Sequence, residues 1–303
     1  MCPPITKRSR SPDFASAVLF LLGGWGFLSS IMGAHAQELY GTLQKINRVN
    51  AVTIGFRENS PPFSSTGDNK QPRGYAIDLC NKIAEDVKIA LGKPELKVDF
   101  QPVTPQTRIP LVANFTVDLE CGSTTNTFAR QRDVDFSATY FTTGTRILTR
   151  KSLRAKEIED FQDKSMGVVT GSTNERAVQL MMKTGGLKNI RLVGFKDYSD
   201  GLVALENKSI DGFVTDEIVL FGLLRKSSIG SDLEVTGRFL TYDPYGIMIR
   251  RDDSAFRLIV NKALAELFRS GEIWNIYAKW FDPIGVPVSP LLKAAVELQA
   301  LPE

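Results

Sequence analysis

The chain has 303 residues, of which 43% are hydrophobic and 23% are charged, and its formal net charge is +3. This composition is typical of a globular protein with enough apolar material for one large core or two smaller ones. A net charge so close to zero argues against nucleic acid and anionic membrane surfaces as partners.

The first 36 residues have the pattern of a secretory signal peptide. A basic stretch at 7–10 precedes an apolar run at 15–32 and a small-x-small motif at 34–36. We therefore expect cleavage before Gln37 and export to the periplasm.

The only histidine of the chain, His35, falls inside this segment. Histidine-based catalysis and histidine-ligated metals are thus excluded from the predicted mature chain, and we predict no catalytic residues, no metal and no cofactor.

Two cysteines remain in the predicted mature chain, Cys80 and Cys121. In an oxidising compartment such a pair suggests a disulfide. Two buried free thiols are the alternative, because the sequence does not show whether the Cα atoms come within the roughly 6 Å that a bridge needs.

The first half of the predicted mature chain alternates strands and helices. In order, the predicted elements are a helix at 40–49, a strand at 51–56, a helix at 74–91, a strand at 96–100, a helix starting near 104–110 and a strand at 117–119. Arg57 follows the strand at 51–56, and ligands of open α/β sheets bind at such strand ends. The rhythm is typical of a mainly parallel sheet covered by helices on both faces.

A second α/β series follows an extended segment at 143–148. Its predicted elements are a strand at 166–169, a helix capped by Ser172, a strand at 190–195, a helix at 199–207, a strand at 210–215 that ends at Asp216, and a helix at 218–224. An acidic residue at the end of a strand is placed where ligands of α/β sheets bind. The alternative is that Asp216 caps the helix that follows it. A last strand at 245–250 is similar in character to the segment at 146–150. We interpret the two as crossings between lobes, followed by helices at 254–269 and 273–280 and a short final helix.

The stretch Val117–Asn126, with Arg130 one helical turn later, is the most informative part of the chain. It predicts a strand, a glycine, and then hydroxyl and amide side chains at the start of a helix. The free N–H groups of a first turn form an anion site, and Arg130 adds a planar fork of donors suited to a carboxylate. An ordinary strand–turn–helix with a surface arginine is the alternative.

Within that stretch, Glu120-Cys121-Gly122-Ser123-Thr124-Thr125-Asn126 resembles the signature of the periplasmic glutamate/aspartate-binding proteins that serve ABC importers. The resemblance extends from about Arg57 through Asp216 to Trp280. It implies an α/β, two-lobed, type II periplasmic-binding-protein fold, in which each lobe is a mainly parallel sheet flanked by helices and two hinge strands join the lobes.

The resemblance also implies how the chain divides. Residues 37–142 plus 245–303 would form lobe one and residues 146–240 lobe two, with hinge crossings near 143–148 and 241–247. The sequence pattern alone indicates two successive α/β series. The return of the chain to the first lobe comes from the resemblance.

The family's ligand-binding roles map onto named positions of this chain. The resemblance assigns Arg130 and Thr125 to the ligand's α-carboxylate, Ser123 and Asp216 to its ammonium, and Arg57 and Arg108 to its side-chain carboxylate, while Thr173 belongs to the loop that faces them from the other lobe. Two positions depart from the family, since Pro105 replaces a serine and Tyr198 a histidine. A tyrosine hydroxyl can replace one imidazole donor. The acidic class of ligand is unaffected, and the preference between glutamate, aspartate and a related dicarboxylate is left open.

In this set, three arginines and one aspartate would match a ligand with two carboxylates and one ammonium. A neutral amino acid would leave a buried guanidinium unpaired. We therefore expect a monomeric binding protein that captures L-glutamate or L-aspartate and passes it to the membrane permease of an ABC importer, without nucleic acid.

Two other functions use the same fold. A periplasmic dehydratase of prephenate-like acids would need a poised carboxylic acid, for which Glu120 and Glu217 are candidates. An acid among arginines stays ionised, which is the wrong state for donating a proton. A ligand-sensing module would have to pass its signal to a separate protein, because no output domain is apparent after residue 250.

Overall fold

The computed structural model describes residues 39–302, so the predicted signal peptide and its cleavage site lie outside the described residues. The strands are β1 Ala51–Phe56, β2 Asn59–Ser60, β3 Ser64–Thr66, β4 Pro72–Arg73, β5 Lys97–Pro102, β6 Leu119–Cys121, β7 Val134–Thr143, β8 Thr145–Arg150, β9 Ser165–Val169, β10 Arg191–Phe195, β11 Gly212–Asp216, β12 Leu233–Thr236 and β13 Asp243–Arg250. The helices are α1 Gly41–Val49, α2 Tyr75–Leu91, α3 Arg108–Ala113, α4 Thr173–Lys183, α5 Tyr198–Glu206, α6 Glu217–Lys226, α7 Ser254–Ser270, α8 Glu272–Phe281 and α9 Pro290–Gln299.

Two large sheets organise the described chain. The first has the strand order β5-β1-β6-β13-β7 and the second the order β10-β9-β11-β8-β12. In each sheet the first three strands run parallel to one another, while the last two pair antiparallel. The sequence predicted mainly parallel sheets. In each observed sheet, three of the five strands pair parallel with their neighbours, and two antiparallel pairings complete the sheet. The pairings of β13 in the first sheet and of β8 in the second are antiparallel, and an antiparallel pairing does not require a crossover helix.

The chain passes between the large sheets twice. It does so at Gly144, between β7 and β8, and over residues 237–242, between β12 and β13. A Cβ atom at Gly144 would overlap the carbonyl oxygen of Thr241, so the two passages touch at a point where only glycine fits. We keep the predicted division into lobes as a proposal, with the two large sheets as the lobe cores.

A cluster of buried aromatic rings packs beside the first sheet, next to the loop that follows β6. The ring of Phe63 lies 4.9 Å from that of Phe141 and 5.1 Å from that of Tyr245, in edge-to-face geometry. The hydroxyl of the neighbouring Tyr140 donates to the carbonyl of Gly122. Because such pairs add stabilisation beyond area burial, the cluster holds the signature loop against a rigid core.

The two predicted mature-chain cysteines are joined. The sulfur of Cys80, in α2, is bonded to that of Cys121, the last residue of β6, and both side chains are fully buried. Of the two alternatives in the sequence, the structure has the disulfide, and it ties α2 to the start of the signature loop.

The helix predicted after the signature strand is absent, and that prediction is wrong. The segment is a loop that ends in a short 3-10 turn, Arg130–Arg132. The N–H of Asn126 donates to the carbonyl of Pro244 at 2.8 Å, and Thr125 forms an isolated β-bridge with Tyr245. Strand β13 thus engages the backbone that a helix would need, so the inferred helix N-terminus does not form here.

Between residues 39 and 302, none of the helices combines the length and the hydrophobicity needed to span a bilayer.

Candidate ligand-binding site

Arg57 follows the end of β1 and is fully buried. Its Nη2 donates to the Asp197 carboxylate at 2.6 Å, and its guanidinium carbon lies 5.0 Å from the centre of the Tyr198 ring. Burial alone would lower the pKa of Arg57, but Tyr198, Asp197 and Glu120 outweigh it and raise that pKa. Among residues 39–302, the Nε and Nη1 atoms of Arg57 have no hydrogen-bond partner, so they remain as buried donors.

Arg108 is the first residue of α3, and 3% of it is exposed. Its Nη1 lies 3.8 Å from the Oε1 of Glu120 and donates to the hydroxyl of Thr124. That hydroxyl donates to the other oxygen of Glu120 at 2.5 Å. The Nε of Arg108 and the Oε1 of Glu120 have no hydrogen-bond partner, so one donor of this arginine is also unused.

Arg130 lies in the short 3-10 turn and is also buried. Its Nη1 donates to the carbonyl of Thr125 at 2.7 Å. Burial, with the nearby positive charge of Arg108, lowers the pKa of Arg130 to about 9. A guanidinium shifted in this way is undercompensated, so an anion beside it would be stabilising.

Hydroxyl groups of predicted site residues near the first sheet lie close to hydroxyl groups of residues beside the second sheet. The hydroxyl oxygen of Ser123 lies 2.8 Å from that of Ser60 and 3.4 Å from that of Tyr198. The hydroxyl oxygens of Thr125 and Thr173 lie 3.4 Å apart. Ser123 and Thr125 belong to the signature loop, whereas Tyr198 and Thr173 begin helices beside the second sheet, so the site is formed by both.

Asp216, the last residue of β11, is buried and faces the same region. Its Oδ1 accepts a hydrogen bond from the Asn174 amide at 2.7 Å, and its Oδ2 accepts one from the Tyr245 hydroxyl. It makes no side-chain cap to α6, although it occupies the N-cap position. Burial and the neighbouring Asp243 raise the pKa of Asp216. The carboxylate is thus directed into the site and not at the helix.

Comparisons with known proteins identify the family of the chain. A family model for bacterial extracellular solute-binding proteins, family 3, matches residues 52–283. The chain belongs to this family.

Two relatives resemble this solute-binding protein over most of its length. The L-glutamate/L-aspartate-binding protein of Pseudomonas aeruginosa is 41% identical over 256 residues, which are 84% of this chain and 83% of that protein. The glutamate/aspartate import solute-binding protein of Escherichia coli is 37% identical over 271 residues, which are 89% of each chain.

A solved structure gives the same picture of the fold. The ancestral amino acid-binding protein AncCDT-1, a precursor of cyclohexadienyl dehydratase, is 27% identical and superposes with a TM-score of 0.69 over 80% of this chain and 100% of that one. The fold is the type II periplasmic-binding-protein fold, and the predicted fold class is confirmed.

The structure brings the predicted site residues together but corrects the predicted charge balance. Three arginines against one aspartate is wrong, because the carboxylates of Glu120, Asp197 and Asp243 also lie among them. Sequence signals existed for each of the three. Glu120 lies in the signature strand, Asp197 precedes a predicted helix in the manner of an N-cap, and Asp243 precedes Pro244 where a strand begins.

Within residues 39–302, no cluster of His, Cys, Asp or Glu side chains has the arrangement of a metal site.

Proposed function

We propose that this solute-binding protein captures an acidic amino acid, L-glutamate or L-aspartate, between its two large sheets and delivers it to the membrane permease of an ABC importer. Both relatives described above carry names of glutamate and aspartate binding or import. They cover more than four fifths of the chain, so the likeness includes both sheets.

The observation that carries the proposal is the group of three buried arginines around Glu120. Arg108 lies 3.8 Å from that carboxylate, and burial lowers the pKa values of Arg57 and Arg130 while the charge of Glu120 opposes that effect at both. Unused N–H groups on Arg57 and Arg108 supply donors that an anionic ligand would satisfy. Charge-assisted hydrogen bonds of this kind contribute roughly 1.5–3 kcal/mol each.

The roles proposed for the residues are those that the family resemblance implies. Arg130 and Thr125 would hold the α-carboxylate, and Ser123 and Asp216 the ammonium. Arg57 and Arg108 would hold the side-chain carboxylate, with Tyr198 and Thr173 closing over the ligand from the second sheet.

The corrected charges change how the ligand's side chain is selected. Asp197 and Glu120 already offset part of the charge on Arg57 and Arg108. Selection therefore depends on the unused donors, which a carboxylate satisfies and an aliphatic side chain leaves buried and unpaired.

The enzyme alternative has weaker support. One oxygen of the Glu120 carboxylate lies 3.8 Å from Nη1 of Arg108, and the other accepts a hydrogen bond from the Thr124 hydroxyl. Glu217 is paired with Arg146 at 2.5 Å. Neither is arranged to donate a proton to a substrate.

The remaining parts of the proposal concern the context of the protein. A cleaved signal peptide would place the protein in the periplasm. We expect it to act there as a monomer. Movement about Gly144 and residues 237–242, where the chain passes between the sheets, would open and close the site.

A panel of the twenty amino acids tests the proposal, first by thermal shift and then by calorimetry. A ligand that binds only the folded protein raises its melting temperature. We expect L-glutamate or L-aspartate to give the largest shift, and leucine and lysine none. Equal shifts with leucine and glutamate would refute the acidic ligand.

A further inference from the structure

Two buried carboxylates lie together at one end of the site, and the predicted site residues include only one of them. Asp216 ends β11 in the second sheet, and Asp243 begins β13 in the first. Each residue is only 2% exposed.

A chain of hydrogen bonds connects the two carboxylates on one side. The amide of Asn174 donates to Asp216 and to the hydroxyl of Thr145, both at 2.7 Å. The hydroxyl oxygens of Thr145 and Thr241 lie 2.6 Å apart, and the Thr241 hydroxyl donates to Asp243. The link runs through both passages between the sheets.

Strand β13 and the signature loop connect the carboxylates on the other side. Tyr245 lies two residues after Asp243, so the two side chains share a face of β13, and its hydroxyl donates to Asp216. The hydroxyl of Thr125 donates to Asp243 at 3.2 Å.

All of these donors are neutral. Among residues 39–302, no lysine or arginine nitrogen lies within ion-pair distance of either carboxylate. Arg130 influences both electrostatically, but its Nη1 is directed to the carbonyl of Thr125. Two buried carboxylates that share a site cannot both ionise cheaply, so the pair needs a proton or an external cation.

We propose that Asp243 is a second ammonium-recognising carboxylate and that it shares one proton with Asp216 until the ligand's ammonium displaces that proton to solvent. This inference rests on the proposed function in one respect, that the ligand carries an ammonium. It adds a specificity-determining residue to the site and couples binding to proton release.

The electrostatic surroundings support this pairing. Burial raises the pKa of Asp243, as burial and Asp243 together raise that of Asp216. The charged and titratable groups that act on the pair include Arg130 from the signature loop and Tyr245 from β13. Burial and Asp216 raise the pKa of the Tyr245 phenol well above its usual range. Tyr245 therefore stays neutral, and the shared proton belongs to the carboxylates.

Calorimetry with L-glutamate tests proton release directly. Titrations at pH 6.5 in buffers of different ionisation enthalpy give the number of protons exchanged. The free amino acid does not titrate there, because its carboxyl and ammonium pKa values lie well outside this range. We expect the wild-type protein to release a large fraction of one proton, and its affinity to rise between pH 5.5 and pH 8.

The variant Asp243→Asn separates the two carboxylates. With a single carboxylate left, we expect proton release at pH 6.5 to fall clearly below the wild-type value and binding at pH 8 to weaken about tenfold. The difference in affinity from wild type should shrink at pH 6, where the wild-type protein must first lose its proton. Asp252→Asn is the matched control, because Asp252 is exposed in the turn after β13, and this variant should keep wild-type proton release and affinity.

Equal binding enthalpies in all buffers, or wild-type proton release in Asp243→Asn, would overturn the inference. If L-glutamate does not bind at all, the proposed function fails, and carboxyl NMR titration of the ligand-free protein still decides the shared proton. There, Asp243→Asn should move the titration of Asp216 to lower pH, and an unchanged titration would refute the pairing.

Discussion

At one end of the site, Arg57 and Arg108 each have a carboxylate beside them, whereas at the other end Asp216 and Asp243 have only neutral donors. Nη2 of Arg57 lies 2.6 Å from Asp197, and Nη1 of Arg108 lies 3.8 Å from Glu120. The guanidinium end is therefore held in place by the protein's own charges, and in the proposed function its selectivity would come from spare N–H groups. The carboxylate end would be completed by a cation, which for an amino acid ligand is the ammonium.

Arg130 lies between these two ends, and its removal should have the largest effect. Arg130→Ala takes away the guanidinium that we assign to the α-carboxylate, which every amino acid ligand carries. Leaving that carboxylate unpaired in a buried site costs on the order of 3–5 kcal/mol, so binding of L-glutamate should fall about a thousandfold or more in calorimetry.

The control for this prediction is Arg132→Ala, two residues away and exposed in the same turn. It should keep the wild-type affinity. A loss of binding in both variants would mean that the turn is simply unfolded. Retention of binding in Arg130→Ala would place the α-carboxylate elsewhere.

Arg108 tests whether the guanidinium end reads the ligand's side chain. Arg108→Ala should weaken binding of L-glutamate by roughly a hundredfold, since it removes a charge-assisted hydrogen bond of about 1.5–3 kcal/mol. Any residual binding of L-glutamine should change much less. The measurement is a competition assay with both amino acids.

A second variant tests whether a loss of binding in Arg108→Ala comes from a disturbed structure and not from lost recognition of the ligand. Arg108→Ala leaves Glu120 buried beside an empty position, so the double variant Arg108→Ala/Glu120→Gln restores the charge balance. If glutamate and glutamine weaken equally in the double variant, Arg108 does not recognise the side chain.

The two buried carboxylates should also affect the ligand-free protein, because they make its free energy of unfolding depend on pH. The pKa of Asp216 is raised from 3.8 to about 7 in the folded protein by burial and by Asp243. The folded state therefore holds more protons than the unfolded chain between these pH values, and the free energy of unfolding falls as the pH rises through them.

Asp216→Asn should reduce this fall, while Asp243, whose pKa burial also raises, keeps part of it. Urea unfolding of the ligand-free protein at pH 5 and pH 7.5 measures it, and we expect the wild-type protein to lose on the order of 2 kcal/mol more than the variant over that interval. The same pH dependence in both proteins would show that Asp216 titrates normally.

The sequence predicted the strands that carry Arg57 and Asp216 well, because both are short apolar runs with clear ends. It failed after Gly122, where capping residues predicted a helix. There, pairing with β13, more than a hundred residues away in the chain, decides the backbone conformation. Local propensity carries no information about such a partner.

The counter-charges were missed for a related reason. Asp197 is a normal N-cap in sequence, and its carboxylate does accept the N–H of Tyr198 at 2.7 Å. Its second role, the ion pair with Arg57, depends on the approach of the second sheet to the first. The family resemblance supplied roles for the residues that contact ligand, and the residues behind them had to come from the structure.

Asp197 gives the smallest predicted effect and the sharpest test of how the guanidinium end is balanced. Its carboxylate accepts from Arg57 and is fixed by the backbone of α5, so it stands close to the negative side chain of a bound dicarboxylate. Asp197→Asn removes that charge and keeps a good N-cap. L-glutamate should then bind about threefold more tightly, as expected for one partly solvated charge. Tighter binding that fades at high salt would identify the effect as electrostatic. Weaker binding would mean instead that Asp197 orients Arg57 for the ligand, and the guanidinium end would then depend on this carboxylate for its geometry.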